Sequence, residues 1–546
     1  MKHTGIRVLR LGGLLGLLIL GIMSVLGSGG GGGGGTSGSA PDLTGISFTP
    51  SEAAAGSTVS INGSFTFVDP DANLGGGAFN YTYGGNTYSI PLPTTLNGMT
   101  SGTVNFTLVA VLNYQSGVQT IPCWLVDGSG LSSNIVNVNF TQLFPDQYGS
   151  SADDRAQGIA ISGNNAIYLA GTTFGQLDGA PYSLQGDVFL SQLQTSGERS
   201  WTETLGLTSE EHGMGVAIYG NDSIYVTGYS WGPLGGQTAA GMSDIFISSY
   251  DAAGSINWTR LVGTTTVDYG YAVAVDSLGN VYVAGATEGA LGGEPNPSGT
   301  GYSAAALLKY NAAGILQWTR LLGAVSTNSS AYGIAVDASD NIYISGATDG
   351  TLGSDAHVGL NDTFVAKYSS AGAQQWVRQF GSVGDDTGNA LATDSQGNVY
   401  IAGTTAGSIG SNLSAGLNDF FLAKYDAAGV QQWVNQFGTD SDDYATAVTV
   451  DASDNIYVAG NTAGSFPGFT NYGLQDAFLS RFASNGAGIW LTQYGSSQDD
   501  LVHGIALDSS GYIYVTGETD GTLDYVNNAG GSDIMLLKYN VNGFRQ

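Results

Sequence analysis

The sequence predicts an all-β protein, in which an immunoglobulin-like β-sandwich precedes a seven-bladed β-propeller of four-stranded antiparallel blades. Three observations support this fold class. The 86 glycines and 12 prolines among 546 residues favour short strands joined by tight turns. Apolar and polar residues alternate with the period of two that is typical of strands. One motif, [I/V]Y[V/I/L]xG, occurs seven times at steps of 57, 57, 61, 57, 57 and 57 residues, and its tyrosines are Tyr168, Tyr225, Tyr282, Tyr343, Tyr400, Tyr457 and Tyr514.

Residues 1–27 have the features of a bacterial secretory signal peptide. An apolar run from Leu11 to about Leu26 follows three basic residues, Lys2, Arg7 and Arg10. This predicts export to the extracellular space or the cell surface, with the periplasm as a further destination. A membrane-spanning helix needs about 20 apolar residues, so an uncleaved N-terminal anchor is the alternative. Residues 28–40 are rich in Gly and Ser and predict a flexible linker.

Charge and cysteine content exclude several classes of partner. The chain has 14 Lys and Arg against 44 Asp and Glu, a net charge of −30. An acidic surface repels phosphate backbones, so we expect no nucleic-acid partner and no membrane contact beyond the signal segment. Cys123 is the only cysteine, which excludes an intramolecular disulfide and a thiolate metal cluster.

Residues 41–140 are predicted to form the sandwich. Stretches such as STVSINGSFTFVD and GTVNFTLVAVLN alternate apolar and polar residues between Gly, Asn, Asp and Pro breaks. About seven short strands in about 100 residues resemble an immunoglobulin-like or fibronectin-like domain. This architecture implies a spacer or a presenting unit and identifies no functional residue.

Residues 141–546 are predicted to form the propeller. Each repeat contains a small-residue strand such as YAVAVD, the Tyr strand, a third strand such as AALLKY and an outer strand such as LQWTRLLG, which together make one blade. The chain ends before a seventh outer strand. However, TQLFPDQYG upstream of the first repeat matches IWLTQYG, and Phe144 lies 57 residues before Trp201. We therefore expect this N-terminal strand to complete the last blade and close the ring.

The repeat unit resembles a known family. The stretch DDYATAVTVDASDNIYVAGNTAGSFPG, followed by GLQDAFLSRFASNGAGIWLTQYG, is similar to the SBBP repeat, the seven-bladed β-propeller repeat of secreted and surface bacterial proteins. The resemblance covers residues 141–546. It implies an extracellular binding or scaffold module and transfers no catalytic residue.

The loops that precede the innermost strands are acidic, which predicts carboxylates at one rim. In four repeats two consecutive positions are both Asp: Asp153, Asp154, Asp385, Asp386, Asp442, Asp443, Asp499 and Asp500. Hard cations take several oxygen ligands, so a calcium ring is one interpretation. The sequence establishes no cofactor, and calcium is the candidate. The other interpretation, which we favour, is that each carboxylate accepts backbone N–H groups in its own turn.

A second acid opens the third strand in six repeats, and Ala304 takes its place in the remaining one. Catalysis needs one site rather than six, so this recurrence indicates a structural bond. The six residues are Asp187, Asp244, Asp362, Asp419, Asp476 and Asp533.

The position just before each inner strand differs from repeat to repeat, and these side chains are candidates to line a ligand-binding funnel: Gln157, Met214, Tyr271, Tyr332, Asn389, Thr446 and His503. The sequence contains no serine nucleophile elbow, phosphate loop or HExxH helix. It therefore favours a non-enzymatic binding or scaffold protein, which meets an extracellular polymer or protein at the acidic propeller face. The alternatives are a secreted enzyme that acts on polysaccharide or uses a quinone, and a purely structural surface component.

Overall fold

The computed structural model describes residues 22–26, 39–49, 52–54, 58–83, 86–111, 117–144, 147–206, 209–523, 526 and 528–546. The chain divides into two compact units, residues 1–145 and 146–546, so the boundary lies five residues after the predicted one. Apart from Ile22–Leu26 and residues 39–40, the predicted signal peptide and linker lie outside the described residues. No helix in the described ranges is long and apolar enough to cross a membrane.

The first unit consists of two β-sheets. Its strands are β1 (Ile22–Leu26), β2 (Asp42–Thr49), β3 (Glu52–Ala54), β4 (Thr58–Val68), β5 (Ala78–Tyr83), β6 (Asn86–Pro91), β7 (Ser101–Val111), β8 (Gly117–Val126) and β9 (Val136–Leu143). A 3-10 helix spans Thr94–Leu96. One sheet has the order β1-β7-β4-β2 and the other β3-β9-β8-β5-β6. The segment that the sequence assigned to the end of the signal peptide is therefore paired with β7.

The core of this unit follows the predicted alternation. Along β4 the buried side chains include Ile61, Phe65 and Phe67, which share one face of the strand. Phe65 stacks on Phe79 with ring centroids 5.1 Å apart. Cys123 is fully buried, and burial raises the pKa of its thiol to about 12, as expected for a core residue.

The second unit consists of seven four-stranded antiparallel sheets, I to VII. Sheet I contains β11 (Asp154–Ile161), β12 (Ile167–Thr173), β13 (Asp187–Leu193) and β14 (Arg199–Leu205). Sheet II contains β15 (Glu211–Tyr219), β16 (Ser223–Ser230), β17 (Asp244–Tyr250) and β18 (Ile256–Val262). Sheet III contains β19 (Asp268–Val275), β20 (Val281–Thr287), β21 (Ala304–Tyr310) and β22 (Leu316–Leu322).

Sheet IV contains β23 (Ser329–Val336), β24 (Ile342–Thr348), β25 (Asp362–Tyr368) and β26 (Gln374–Phe380). Sheet V contains β27 (Asp386–Thr393), β28 (Val399–Thr405), β29 (Asp419–Tyr425) and β30 (Gln431–Phe437). Sheet VI contains β31 (Asp443–Val450), β32 (Ile456–Thr462), β33 (Asp476–Phe482) and β34 (Gly488–Tyr494). Sheet VII combines the two ends of the unit: β35 (Asp500–Leu507), β36 (Ile513–Thr519), β37 (Asp533–Tyr539) and β10 (Gln147–Tyr148).

The seven sheets form a closed ring. The first strands of sheets I to VII are β11, β15, β19, β23, β27, β31 and β35. Each contacts the first strand of the next sheet, and β35 contacts β11. At every junction the first residue of a first strand donates its backbone N–H to a carbonyl at or near the start of the preceding sheet's third strand, as from Asp386 to Asn361 O at 2.8 Å. Sheet VII meets sheet I in the same way, through Asp154 N and Ser532 O at 2.7 Å.

Strand β10 takes the place of the missing outer strand. Gln147 pairs with Met535, and Tyr148 pairs with Ile534 of β37. The Gln147 side chain donates to Gly521 O and to Asp533 Oδ2, each at 2.9 Å, and accepts from Leu523 N at 2.9 Å. Gln493 makes the same three bonds within sheet VI. The strand that the sequence predicted within TQLFPDQYG thus spans only Gln147–Tyr148, but it supplies the same buried amide as Gln493 does in sheet VI.

The repeated tyrosines and tryptophans fill the space between and within the sheets. Every motif tyrosine is buried, and in sheet V the Tyr400 ring lies 6.1 Å from the Trp433 ring. Tyr400 donates its hydroxyl to Asp394 Oδ2 at 3.0 Å, and Asp394 Oδ1 also accepts backbone N–H groups in the hairpin turn. Equivalent bonds in sheets III, IV, VI and VII explain why the Asp of this turn recurs.

Candidate ligand-binding site at the ring centre

A cavity of about 240 Å³ lies at the centre of the ring, where the seven first strands meet. All seven variable positions singled out in the sequence line it: Gln157, Met214, Tyr271, Tyr332, Asn389, Thr446 and His503. The structure therefore brings together side chains that are up to 346 positions apart in the chain (503 − 157).

These seven residues are β-bulges. In each first strand the pairing with the second strand skips one residue, as at Tyr271 between Gly270 and Ala272, and the skipped residue is always the cavity-lining one. A bulge leaves its extra residue outside the ladder and redirects its side chain. The sequence placed these positions just before the inner strands, but they lie within them.

One wall of the site is aromatic. Tyr271 and Tyr332 lie in adjacent sheets with ring centroids 5.1 Å apart. Tyr269 stacks beside Tyr271 at 5.9 Å, Tyr229 meets Tyr269 edge-on at 4.8 Å, and His212 stacks on Tyr229 at 4.8 Å. We call these five residues the aromatic ladder. Each is half-buried, so the ladder leads from the cavity to the mouth at which the first strands begin.

The opposite wall is polar. Arg155 Nε lies 2.6 Å from Glu518 Oε2, and His503 Nε2 lies 3.5 Å from Glu518 Oε1. Arg155 also contacts Asp153 Oδ2 at 3.2 Å. Gln157 Oε1 is buried and has no hydrogen-bond donor among the described residues. We call Arg155, Gln157, His503 and Glu518 the polar cluster. The two walls make the ring centre asymmetric although the scaffold repeats sevenfold.

The acids that open the first strands lie inside the protein rather than on its rim, which differs from the sequence prediction. Asp154, Asp386, Asp443 and Asp500 are fully buried. Each accepts the backbone N–H of the residue four positions earlier, as from Ser382 to Asp386 at 2.5 Å and from Thr439 to Asp443 at 2.6 Å. They therefore act as turn formers.

The preceding acids bond to the neighbouring sheet. Asp385 accepts from Asn361 Nδ2 at 2.7 Å, and Asp442 accepts from Asn418 Nδ2 at 2.6 Å. Asp153 accepts from Ser532 N at 3.2 Å, and the Asp499 carboxylate accepts a backbone hydrogen bond from Gln475. No three His, Cys, Asp or Glu side chains converge on a metal position within those ranges. Calcium binding therefore stays a prediction.

Buried carboxylates face each other in pairs across the junctions. A Cβ on Gly381 would lie 2.5 Å from Asp362 Oδ1 and 2.7 Å from Asp386 Oδ2, which places the third-strand acid of one sheet beside the first-strand acid of the next. The junction between sheets III and IV lacks both acids, because Ala304 and Ser329 stand there. Their joint absence indicates that the two acids act as a unit.

Burial raises the pKa of many of these acids, since a low-dielectric surrounding disfavours the charged form. The pKa of Glu211 rises to about 7 and that of Asp500 to about 6, with burial as the main cause and a neighbouring carboxylate as a further one. The pairs are therefore sources of electrostatic strain at neutral pH.

The sequence predicted Gln157, Tyr271, Tyr332 and His503 but not the other residues of the two walls. Tyr229 and Glu518 directly follow the glycine of the Tyr motif. The equivalent position of the other five repeats holds Thr172, Ala286, Ala347, Thr404 and Asn461. Arg155 and Tyr269 are second in their first strands. The sequence did contain a signal for these residues. Both positions differ from repeat to repeat, as the cavity-lining position does, whereas most other positions of the repeat are uniform.

Comparison with known proteins defines the class. Five segments match the model of the family described as "Beta-propeller repeat": residues 257–292, 317–353, 375–410, 432–467 and 489–523. The described part of the chain is all-β and is built mainly of four-stranded antiparallel sheets, consistent with a propeller. These five segments of the chain are thus similar to the beta-propeller repeat.

Two curated proteins are similar over part of their length. "Regulatory protein FlaEY" of Caulobacter vibrioides is 30% identical over 28% of this chain and 18% of its own. "Uncharacterized WD repeat-containing protein L264" of Acanthamoeba polyphaga mimivirus is 23% identical over 58% of this chain and 31% of its own. This chain therefore matches less than a third of either relative.

Solved structures are similar only at a low level. A mutant of the Synechocystis apocarotenoid oxygenase aligns over 71% of this chain and 94% of its own, with 9% identity and a TM-score of 0.30. The rhamnogalacturonan lyase YesW aligns over 90% and 89%, with 14% identity and a TM-score of 0.29.

Proposed function

We propose that the chain is a secreted or cell-surface binding or scaffold protein without catalytic activity, in which an immunoglobulin-like sandwich precedes a seven-bladed propeller. One observation supports the binding role above the others. Seven bulges point side chains of six kinds into one cavity, whereas most of the surrounding repeat is nearly uniform. A purely structural ring would have no reason to vary at the cavity and at the two strand positions beside it. Beta-propeller repeats and a distant WD-repeat relative agree with such a role.

The ligand, an extracellular polymer or protein, would meet the ring at the mouth of the central cavity. Half-buried aromatic and polar side chains converge there, and such groups fix the orientation of a ligand in a concave site. The position differs from the acidic rim that the sequence suggested, because most first-strand acids are buried.

The binding role can be tested on arrays of immobilised glycans and extracellular proteins, probed with the labelled full chain in the presence of calcium and of chelator. We expect the wild-type chain to bind at least one immobilised molecule and the Tyr271→Ala/His503→Ala variant to lose that binding. The two residues lie on opposite walls of the cavity. Binding that the variant retains in full would contradict the proposed site, and the absence of any binding would contradict the proposed function.

Export is a separate part of the proposal and rests on the charge and hydropathy of residues 1–27. In a bacterial host we expect the full chain in the secreted, surface or periplasmic fraction. A variant without residues 1–27 should stay in the cytoplasm. Equal distribution of the two chains would contradict a signal in this segment.

A further inference from the structure

We propose that the mouth of the central cavity binds an uncharged oligosaccharide, whose sugar rings stack on the aromatic ladder while its hydroxyl groups bond to the polar cluster. The inference rests on the proposed function and names the ligand class of the same site. Three features of the described residues support it: the geometry of the ladder, the unused hydrogen-bonding capacity opposite it, and the charge of the chain.

The ladder is an unbroken row of aromatic rings. Neighbouring centroids from His212 through Tyr229, Tyr269 and Tyr271 to Tyr332 lie 4.8 to 5.9 Å apart. Sugar rings carry apolar C–H faces and a hydroxyl rim, and tyrosine combines an apolar ring with a polar hydroxyl in the same way. Burial raises the pKa of Tyr229 and Tyr271, so both hydroxyls stay protonated and can donate hydrogen bonds.

The polar cluster offers the groups that hydroxyls need. Gln157 Oε1 is a buried acceptor without a donor in the described part of the chain, and a buried acceptor of this kind is costly unless something donates to it. Glu518 accepts and His503 presents its imidazole beside it at 3.5 Å. A ligand hydroxyl both donates and accepts, so it can satisfy these groups together.

The volume of the cavity fits the terminal sugar of an oligosaccharide rather than a whole oligosaccharide. Its volume of about 240 Å³ is below the ~300–1,000 Å³ of pockets that enclose a small-molecule ligand. One sugar ring would enter it between Tyr271 and His503, and the following rings would lie along Tyr269, Tyr229 and His212 at the mouth.

The net charge of the chain discriminates between the classes of ligand that can stack on tyrosine. Nucleobases stack equally well, but a chain of net charge −30 repels their phosphates. Arg155, the cation of the polar cluster, is already flanked by Glu518 at 2.6 Å and Asp153 at 3.2 Å. The same negative charge disfavours uronic acid polymers, which leaves uncharged sugars as the class that fits.

The test uses the purified full chain and defined hexasaccharides in isothermal titration calorimetry. The uncharged probes are cellohexaose, N-acetylchitohexaose, maltohexaose and xylohexaose, and the charged probe is hexagalacturonate. Tyr271→Ala and His503→Ala remove one group from each wall. Tyr219→Ala is the matched control, because Tyr219 is an exposed tyrosine at the far end of its first strand, away from the mouth. Circular dichroism and thermal unfolding confirm that each variant is folded.

We expect at least one uncharged hexasaccharide to bind, each wall variant to bind it at least tenfold more weakly, and Tyr219→Ala to bind as the wild type does. Tyr271→Phe should retain most of the affinity, because it keeps the ring. If Tyr271→Ala does not fold, His503→Ala and Tyr271→Phe still distinguish the outcomes.

Two results would overturn the inference: no binding of any uncharged hexasaccharide, or preferential binding of hexagalacturonate. If the wild-type chain then captures a protein on the arrays through the same walls, the proposed function stands and only the ligand class is wrong. If it binds neither proteins nor glycans, both are wrong.

Discussion

Replacing Glu211 by Gln should stabilise the ring at neutral and alkaline pH and leave its stability in acid unchanged. Glu211 is fully buried at the junction of sheets I and II. Its Oε1 accepts the hydroxyls of Ser209 and Ser230, while Oε2 has no hydrogen-bond donor among the described residues. Both Glu211 Oε2 and Asp187 Oδ1 lie against Gly206. In the variant the amide oxygen can keep both hydroxyl bonds, and the amide nitrogen replaces the oxygen that faces Asp187.

The magnitude follows from the pKa of Glu211, which burial raises from 4.5 to about 7. A group whose pKa is raised in the folded chain stabilises that chain below the unfolded value, and the contribution is lost as the pH rises through the folded value. The gap between 4.5 and about 7, at about 1.4 kcal/mol for each pH unit, gives about 3 kcal/mol between pH 4 and pH 8. Gln does not titrate, so E211Q should exceed the wild type by up to about 3 kcal/mol at pH 8.

The assay is urea unfolding at pH 4, 6 and 8, followed by tryptophan fluorescence, since every tryptophan except Trp124 lies in residues 146–546. Glu198→Gln is the control for the loss of one negative charge, because Glu198 is exposed. Parallel pH dependence of the unfolding midpoints of E211Q and the wild type would refute the argument. So would a stabilisation by E198Q as large as that by E211Q.

Three further variants test other parts of the ring. Gln147→Ala removes the amide that joins β10 to the last sheet, and it should cost about 2–4 kcal/mol in urea unfolding because it leaves buried partners unsatisfied; a loss below 0.5 kcal/mol would show that this amide adds little to closure. Burial alone would raise the pKa of Asp394, but hydrogen bonds, one of them from Tyr400, outweigh burial and lower it. Tyr400→Phe should therefore destabilise the ring by about 1–3 kcal/mol at pH 7 and by less once the pH falls through the lowered pKa of Asp394. A loss that stays constant as the pH is lowered through the acid range would contradict this. Calcium at a hundred times its dissociation constant should add about 2.7 kcal/mol to the wild type and less to Asp385→Asn/Asp442→Asn; thermal midpoints that rise equally in calcium and in sodium chloride of matched ionic strength would show that these acids do not bind calcium.

The sequence predicted the all-β class and the four-strand repeat because strand alternation and turn residues act locally and recur in each repeat. It also predicted which seven side chains would line the central cavity, since equivalent positions of a closed ring converge on its axis. The bulges were not predicted. An extra residue in a first strand does not change the repeat length, so only the pairing with the second strand shows it.

The contacts that form the aromatic ladder and the buried acid pairs were not predicted, because each feature joins residues of different repeats. Tyr229 and Tyr269 are 40 positions apart and meet only when sheets II and III lie side by side. The first-strand acids had the sequence signature of exposed turn formers. Their burial arises from the preceding sheet, whose third strand begins against them, and no single repeat contains that information.

The bulges separate what holds the ring together from what it recognises. A bulged residue is outside the strand ladder, although the Asn389 side chain also donates to Ala445 O of the next sheet at 2.9 Å. Substitutions at the other six positions should therefore have little effect on folding, although each changes the lining of the cavity. Natural variation can explore them independently, and homologous rings can diverge in ligand while keeping their cores. The same property makes the ring a template for engineering, in which randomising the seven bulges would give a library of binding sites on a constant scaffold.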